Sequence, residues 1–222
     1  MVSFLDLFSA YLFCFSILFM FMPVFQIMEW RRRGTTEGFS SIHMVLPCLM
    51  MSCWLRHGIM TQDSMNTYIN ILGLGSTAVV LAFYAFYSPS IKNLSIQIFT
   101  LLATLAAIFA YVETHEQDEA VDVMGKVAAL AQNVGLFGGI YQIKDVIDRK
   151  TTEYVPAEMQ FGILVAIAQW TVYAILTANW YMAVANVPGL ILSVVTISLY
   201  VVYPPISWRV PIIGTQQKPK AA

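Results

Sequence analysis

Residues 26–37 contain Gln26-Ile27 and Thr35-Thr36-Glu37, and residues 142–153 contain Gln142-Ile143 and Thr151-Thr152-Glu153, the same pattern 116 positions further on. The register holds without a gap over residues 21–89 and 137–205, where 17 of 69 aligned positions are identical. Trp54 meets Trp170, Asn70 meets Asn186, and Gly73-Leu74 meets Gly189-Leu190. Tyr84, Tyr87 and Pro89 meet Tyr200, Tyr203 and Pro205. Membrane proteins built from two such units commonly move a solute through the interface between them.

Lipid is the solvent that this composition requires. Of 222 residues, 58% are hydrophobic and 11% charged, with a mean hydropathy of +0.67, and a soluble chain of this length has too little interior to hide that surface. Apolar runs predict seven spans near 4–28, 41–61, 65–88, 94–113, 121–147, 157–178 and 181–204. The expected fold is an all-α membrane protein of seven transmembrane helices, two parallel three-helix bundles joined by a linker helix (3+1+3). Residues 1–89 form the first repeat, 90–118 the linker helix and an outer loop, 119–206 the second repeat and 207–222 a cytoplasmic tail. The single intervening helix lets both copies insert with the same orientation.

Arg31, Arg32, Arg33, Lys92, Lys144, Arg149, Lys150, Arg209, Lys218 and Lys220 fall on one side, and the positive-inside rule makes that side cytoplasmic. The N-terminus is then outside and the C-terminus inside. Residues 1–28 lack the basic n-region of a signal peptide and are expected to be a retained span. The acidic stretch 113–122 is expected to be a solvated outer loop, and the tail after Ile206 mostly unstructured.

Counting inward from the loop around Gln62, Trp54 and Asn70 each lie about eight residues deep, roughly 12 Å below the outer surface at 1.5 Å per residue. Trp170 and Asn186 stand at the equivalent depth in the other copy. A lone Asn in lipid usually bonds a neighbouring helix, whereas a pair matched by symmetry points to a ligand. Two indoles and two carboxamides suit a neutral polyol ring: an indole stacks on its C–H face, and an amide both donates to and accepts from its hydroxyls.

The spans hold no Asp, Glu, Lys or His near their centres; His43 and His57 lie near opposite ends of the second, and Arg56 is near the outer surface. A proton-coupled carrier normally needs a group that titrates within the membrane, so facilitated diffusion is expected. Cys14, Cys48 and Cys53 lie within spans and suggest neither disulfide nor metal. No cofactor, nucleic-acid partner or catalytic constellation is expected, and the chain does not read as an enzyme.

The arrangement of three, one and three spans, with Pro23, Thr35-Thr36-Glu37-Gly38-Phe39-Ser40, Trp54 and 70–73, resembles the SWEET (MtN3/saliva) sugar transporters. The second copy supplies Lys150-Thr151-Thr152-Glu153-Tyr154-Val155-Pro156, Trp170 and 186–189, so the resemblance covers about residues 5–206. It implies a bidirectional uniporter of mono- or disaccharides working by alternating access, with Trp54, Asn70, Trp170 and Asn186 contacting the sugar. It also implies proline pivots near the cytoplasmic gate, matched by Pro23 and Pro156. His43 and Gly139 stand where two further prolines are expected, and Pro47 is a substitute one turn on from His43. Family pocket positions correspond to Phe19, Met50, Gly135 and Ala166, with Ser16 adding a hydroxyl, and they favour a glucose-like monosaccharide over a disaccharide. The family's usual address is the plasma membrane, with the Golgi or another internal membrane next; homo-oligomers are compatible with a pocket inside one chain.

Two other classes compete. A PQ-loop carrier of other metabolites should show a Pro-Gln dipeptide, but Pro23 is followed by Val24. A seven-span receptor or trafficking adaptor would lack the threefold repeat.

Overall fold

The computed structural model describes residues 3–37 and 39–217. Gly38 of the first repeated motif, and Lys218, Pro219 and Lys220 of the basic tail, lie outside the described residues. Among the described residues the regular structure is entirely helical. The segments are α1 (Phe4–Met20), α2 (Pro23–Arg33), α3 (Ile42–Met60), α4 (Ser64–Tyr87), α5 (Lys92–Val112), α6 (Gln117–Val134), α7 (Phe137–Arg149), α8 (Ala157–Leu176) and α9 (Trp180–Val202). Helices α1 and α2 make one run, Phe4–Arg33, and α6 and α7 another, Gln117–Arg149.

Among the described residues six runs are long and apolar enough to cross a bilayer, and the chain is a multi-pass membrane protein. Helix α3, which carries His43, Arg56 and His57, is not among the six. Its arginine is tied down: Arg56 Nη2 lies 3.1 Å from Glu113 Oε1 beyond the end of α5. The run Gln117–Arg149 starts earlier than the apolar pattern predicts. Asp118 and Glu119 occupy the first turn of α6, where carboxylates complement the positive end of the helix dipole, so part of the expected acidic loop is helix.

Contacts divide the chain into two compact units, one ending at Gly135 and the other starting at Leu136. Helix α6, which the sequence repeat assigns to the second copy, packs on α3 within the first unit.

The repeat is visible in the loops as well as the helices. Asp63 and its counterpart Asn179 cap α4 and α9 by accepting from the Asn66 and Met182 backbone N–H groups. Gly34 and its counterpart Lys150 both end helices in the left-handed region, at φ +71° and +54°. The Thr-Thr-Glu motif is a tie between elements. Thr36 N–H donates to Tyr87 O at 3.1 Å and Thr152 N–H to Tyr203 O at 2.9 Å. The Tyr84 and Tyr200 hydroxyls each donate at 3.0 Å, to Phe39 O and Val155 O. Much of the identity between the copies therefore maintains the junction between one loop and the end of the third helix.

Around those tyrosines each unit builds a core. The first combines Trp30, Val45, Val80, Tyr84 and Leu94, and the second Val146, Val155, Ala157, Leu199, Tyr200 and Val210. Leu94 and Val210 are again 116 apart. In the first unit α5 supplies the closing side chain; in the second the tail after α9 supplies it. The expectation of a mostly unstructured tail is thus corrected over residues 206–217, which form no helix but pack back on the unit. Trp208 Nε1–H donates to Glu153 O at 3.0 Å, Thr215 Oγ–H to Tyr200 O at 2.7 Å, and Gln217 N–H to Pro205 O at 2.8 Å. Glu153 accepts from the Ile206 and Ser207 backbone N–H groups and from the Ser207 hydroxyl.

The two long runs are interrupted at different places. The first breaks at Phe21–Met22, immediately before Pro23, which lacks a backbone donor and opens α2. The second breaks at Gly135–Leu136, and α7 continues through Gly139, which stands where a proline is expected. A Cβ at 139 would run into Leu192 Cδ2 of α9, so this glycine admits a close approach of α7 and α9.

Val210→Asp should lower stability in detergent by about 3 kcal/mol through an unpaired buried charge, whereas Ile212→Asp, at a side chain 90% exposed, should change it little. Paired thermal melts check this. The bonds from Ser207 and Ile206 hold the Glu153 carboxyl below the ordinary glutamate range. Its tail contact should therefore persist above that range and be lost as pH falls through the lowered value. Proteolytic release of the tail against pH, in wild type and Glu153→Gln, measures it: the variant should lose the pH dependence.

Candidate functional site

The four residues singled out by symmetry fall on four different helices: Trp54 on α3, Asn70 on α4, Trp170 on α8 and Asn186 on α9. Trp54, Asn70 and Asn186 are buried at 4%, 8% and 5% exposure, and Trp170 is half-buried. Each indole carries a ring edge-on at the same spacing. Trp54 and His57 lie 5.5 Å apart at 89°, and their counterparts Trp170 and Tyr173 lie 5.5 Å apart at 76°. Such pairs fix the orientation of the indole plane.

In the first unit these side chains are members of a polar relay. Asn70 Nδ2 donates to the Asn66 backbone oxygen at 2.7 Å and to Asn66 Oδ1 at 2.8 Å. Asn66 Nδ2 in turn donates to the Trp54 backbone oxygen at 3.0 Å. Trp54 Nε1–H donates to Gln132 Oε1 of α6 at 2.8 Å. Two of the acceptors are backbone carbonyls, so the direction of both asparagine amides is fixed by chemistry. Asn70 Nδ2 thus finds two acceptors within its own helix, both on Asn66.

Asn66 and Gln132 were missed by sequence reasoning, for different reasons. Asn66 sits one helical turn before Asn70, a spacing at which an amide commonly bonds back, and that signal was legible. The pairing of Gln132 with Trp54 spans 78 positions and depends on α6 packing against α3, which no local pattern announces.

The lower-ranked candidates are distributed over several elements. Ser16 is buried on α1, and its Oγ meets no hydrogen-bond partner among the described residues. Phe19 is half-buried on the same helix and stacks on Phe15 at 6.4 Å. Met50 and Ala166 are half-buried on α3 and α8, and Gly135 is exposed at the break in its run. Pro47 lies inside α3, and Pro156 is the N-cap of α8. An apolar cleft of about 300 Å³ lies beside Pro188 in the second unit, lined by Leu136, Ile140, Ile191, Leu192 and Val195. None of the candidate residues lines it, and it offers no chemistry for a polyol.

Known proteins share both this fold and this sequence pattern. A solved structure of a eukaryotic SWEET transporter superposes with a TM-score of 0.77 at 19% identity, covering 90% of this chain and 99% of that one. The family model described as "Sugar efflux transporter for intercellular exchange" matches residues 6–92 and 123–207. The chain belongs to this MtN3/saliva, or SWEET, family, which is one of transporters rather than enzymes. It is similar to "Sugar transporter SWEET1" of Caenorhabditis elegans, 24% identical over 80% of this chain and 58% of that protein. It is similar also to "Bidirectional sugar transporter SWEET12" of Oryza sativa subsp. japonica, 26% identical over 85% of this chain and 64% of that protein. "Bidirectional sugar transporter SWEET17" of Arabidopsis thaliana is 25% identical, over 85% of this chain and 80% of its own length. The chain thus spans about three-fifths of the length of the first two.

The Trp54–Gln132 bond should appear as a coupling of about 1 kcal/mol in a double-mutant cycle of Trp54→Phe and Gln132→Leu, read by thermal stability in detergent. Strict additivity would mean that the bond contributes nothing.

Proposed function

We propose that this chain is a bidirectional, facilitative sugar transporter that moves a neutral sugar down its own gradient by alternating access. The observation that carries the reading is the family match over both sequence copies, together with the buried polar and aromatic residues that recur at matched positions. The sugar relatives' names support the substrate class. In this reading the chain has seven spans arranged as 3+1+3, with α3 as the seventh and α5 as the linker. The repeats are parallel, the N-terminus is outside and the C-terminus is cytoplasmic.

Trp54 and Trp170 offer indole faces to the C–H side of the sugar, and Asn70 and Asn186 bind its hydroxyls. Ser16, Phe19, Met50, Gly135 and Ala166 shape the pocket and favour a glucose-like monosaccharide. Pro23, which opens α2, and Pro156, which precedes α8, act as pivots, with Pro47 and the glycine-bearing segment 135–139 replacing the missing prolines. The plasma membrane is the favoured location. Affinity is weak, since a carrier that binds tightly cannot release on either side.

Radiolabelled glucose uptake and efflux in cells lacking their own sugar carriers tests the proposal, with surface expression measured in parallel. Wild type should move glucose both ways, equally at pH 5.5 and 7.5, and Asn70→Ala or Asn186→Ala should abolish flux while still reaching the surface. Normal flux in both variants would remove these residues from the binding site.

A further inference from the structure

We propose that Asn66 is a specificity-determining residue that makes Asn70 an acceptor only, so that the transported sugar must donate a hydroxyl hydrogen to the Asn70 oxygen. The inference rests on the reading of Asn70 as a sugar contact and adds the direction of that contact.

A free carboxamide is indifferent to polarity, because it presents two donors and a two-lone-pair acceptor. Here the donors are committed. Asn70 Nδ2 sits 2.7 Å from one oxygen of Asn66 and 2.8 Å from the other. Rotating the amide by half a turn would set its oxygen against two acceptors, so the orientation is locked. Asn66 is itself held: its backbone N–H donates to Asp63 Oδ1 at 3.0 Å and its Nδ2 to Trp54 O at 3.0 Å. It is 1% exposed, and its amide fills the space beside Gly58, where a Cβ would come within 3.0 Å of Asn66 Nδ2. A packed, doubly anchored acceptor is a durable constraint on its neighbour.

Trp54 is committed in the same sense. Its only donor is bonded to Gln132, which leaves the ring face for a ligand. The first unit thus offers a sugar one acceptor and one aromatic surface. Asn66 has no equivalent in the second copy, where Met182 occupies the position, so this device polarises Asn70 alone.

Fluorinated sugars separate donor from acceptor, because a C–F group is close in size to C–OH and cannot donate. The experiment measures flux of glucose and its singly fluorinated 2-, 3-, 4- and 6-deoxyfluoro analogues, in wild type, Asn66→Ala and Asn66→Ser at matched surface expression. In wild type, fluorine at one hydroxyl position should reduce flux roughly tenfold, the scale of one lost buried hydrogen bond. In the Asn66 variants one Asn70 hydrogen is released and can meet fluorine, so the loss at that same position should shrink to about threefold or less.

Wild type that transports every analogue within about twofold of glucose would overturn the proposal, whatever the variants do. An equal loss at the same position in wild type and in either surface-expressed variant would overturn it too, since Asn66 would then not set the polarity. If neither variant reaches the surface, the wild-type series decides alone. A wild type at the surface that moves no hexose or disaccharide defeats the transport reading, and this proposal with it. Discrimination lost while glucose flux persists defeats only the proposal.

Discussion

Hydrocarbon cannot hydrogen-bond, and every polar group that enters it must bring or find a partner. Along these helices the commonest solution is local. Thr61, Thr171, Thr177, Thr196, Ser198 and Asn133 all turn back onto the carbonyl four residues earlier. Side chains satisfied in this way contribute little between helices. Polar groups that cross from one helix to another include Trp54 to Gln132, Asn66 to Trp54 O, Ser76 to Met20 O and Gln160 to Gln142. Two of these four involve the tryptophan that symmetry had already selected.

Symmetry has been retained unevenly. The loop ties made by Thr36 and Thr152, and by Tyr84 and Tyr200, agree almost bond for bond. These are junctions between a loop and a helix end, where the backbone must be held. Departures gather where the surroundings differ. The tail's Val210 stands where α5 supplies Leu94, and Tyr173 replaces His57 against an indole. Repetition in the sequence therefore marks architecture at least as strongly as it marks function, and identity between copies alone would have overstated the number of functional residues.

The helical runs were legible to within a few residues because apolar length and proline are local signals. Pro23 marked its break correctly, since a missing N–H acts where it stands. Gly139 was less legible, because a glycine permits both a bend and a close contact, and only the neighbour decides between them. Leu192 fills the space, and the helix runs on. The acidic residues after 116 read as loop by charge, yet carboxylates are as favourable in a helix's first turn as in water. The tail read as unstructured by its Pro and Gly content, and its described residues form no helix yet are packed in place. What composition could not reveal was the unfilled core beside Tyr200 that holds it in place.

Trp54, Asn70, Trp170 and Asn186 were identified from position alone, and position says nothing about which end of an amide faces a ligand. That detail depends on Asn66, an unrepeated residue within an otherwise repeated segment. Met182 at the equivalent place carries a thioether, a weak acceptor that cannot hold two amide hydrogens. The two asparagines at equivalent positions of the repeat therefore have different neighbours. In the proposed function, fixing one amide as an acceptor would distinguish the two ends of an unsymmetrical hexose through one intrahelical contact, without adding charge to the membrane.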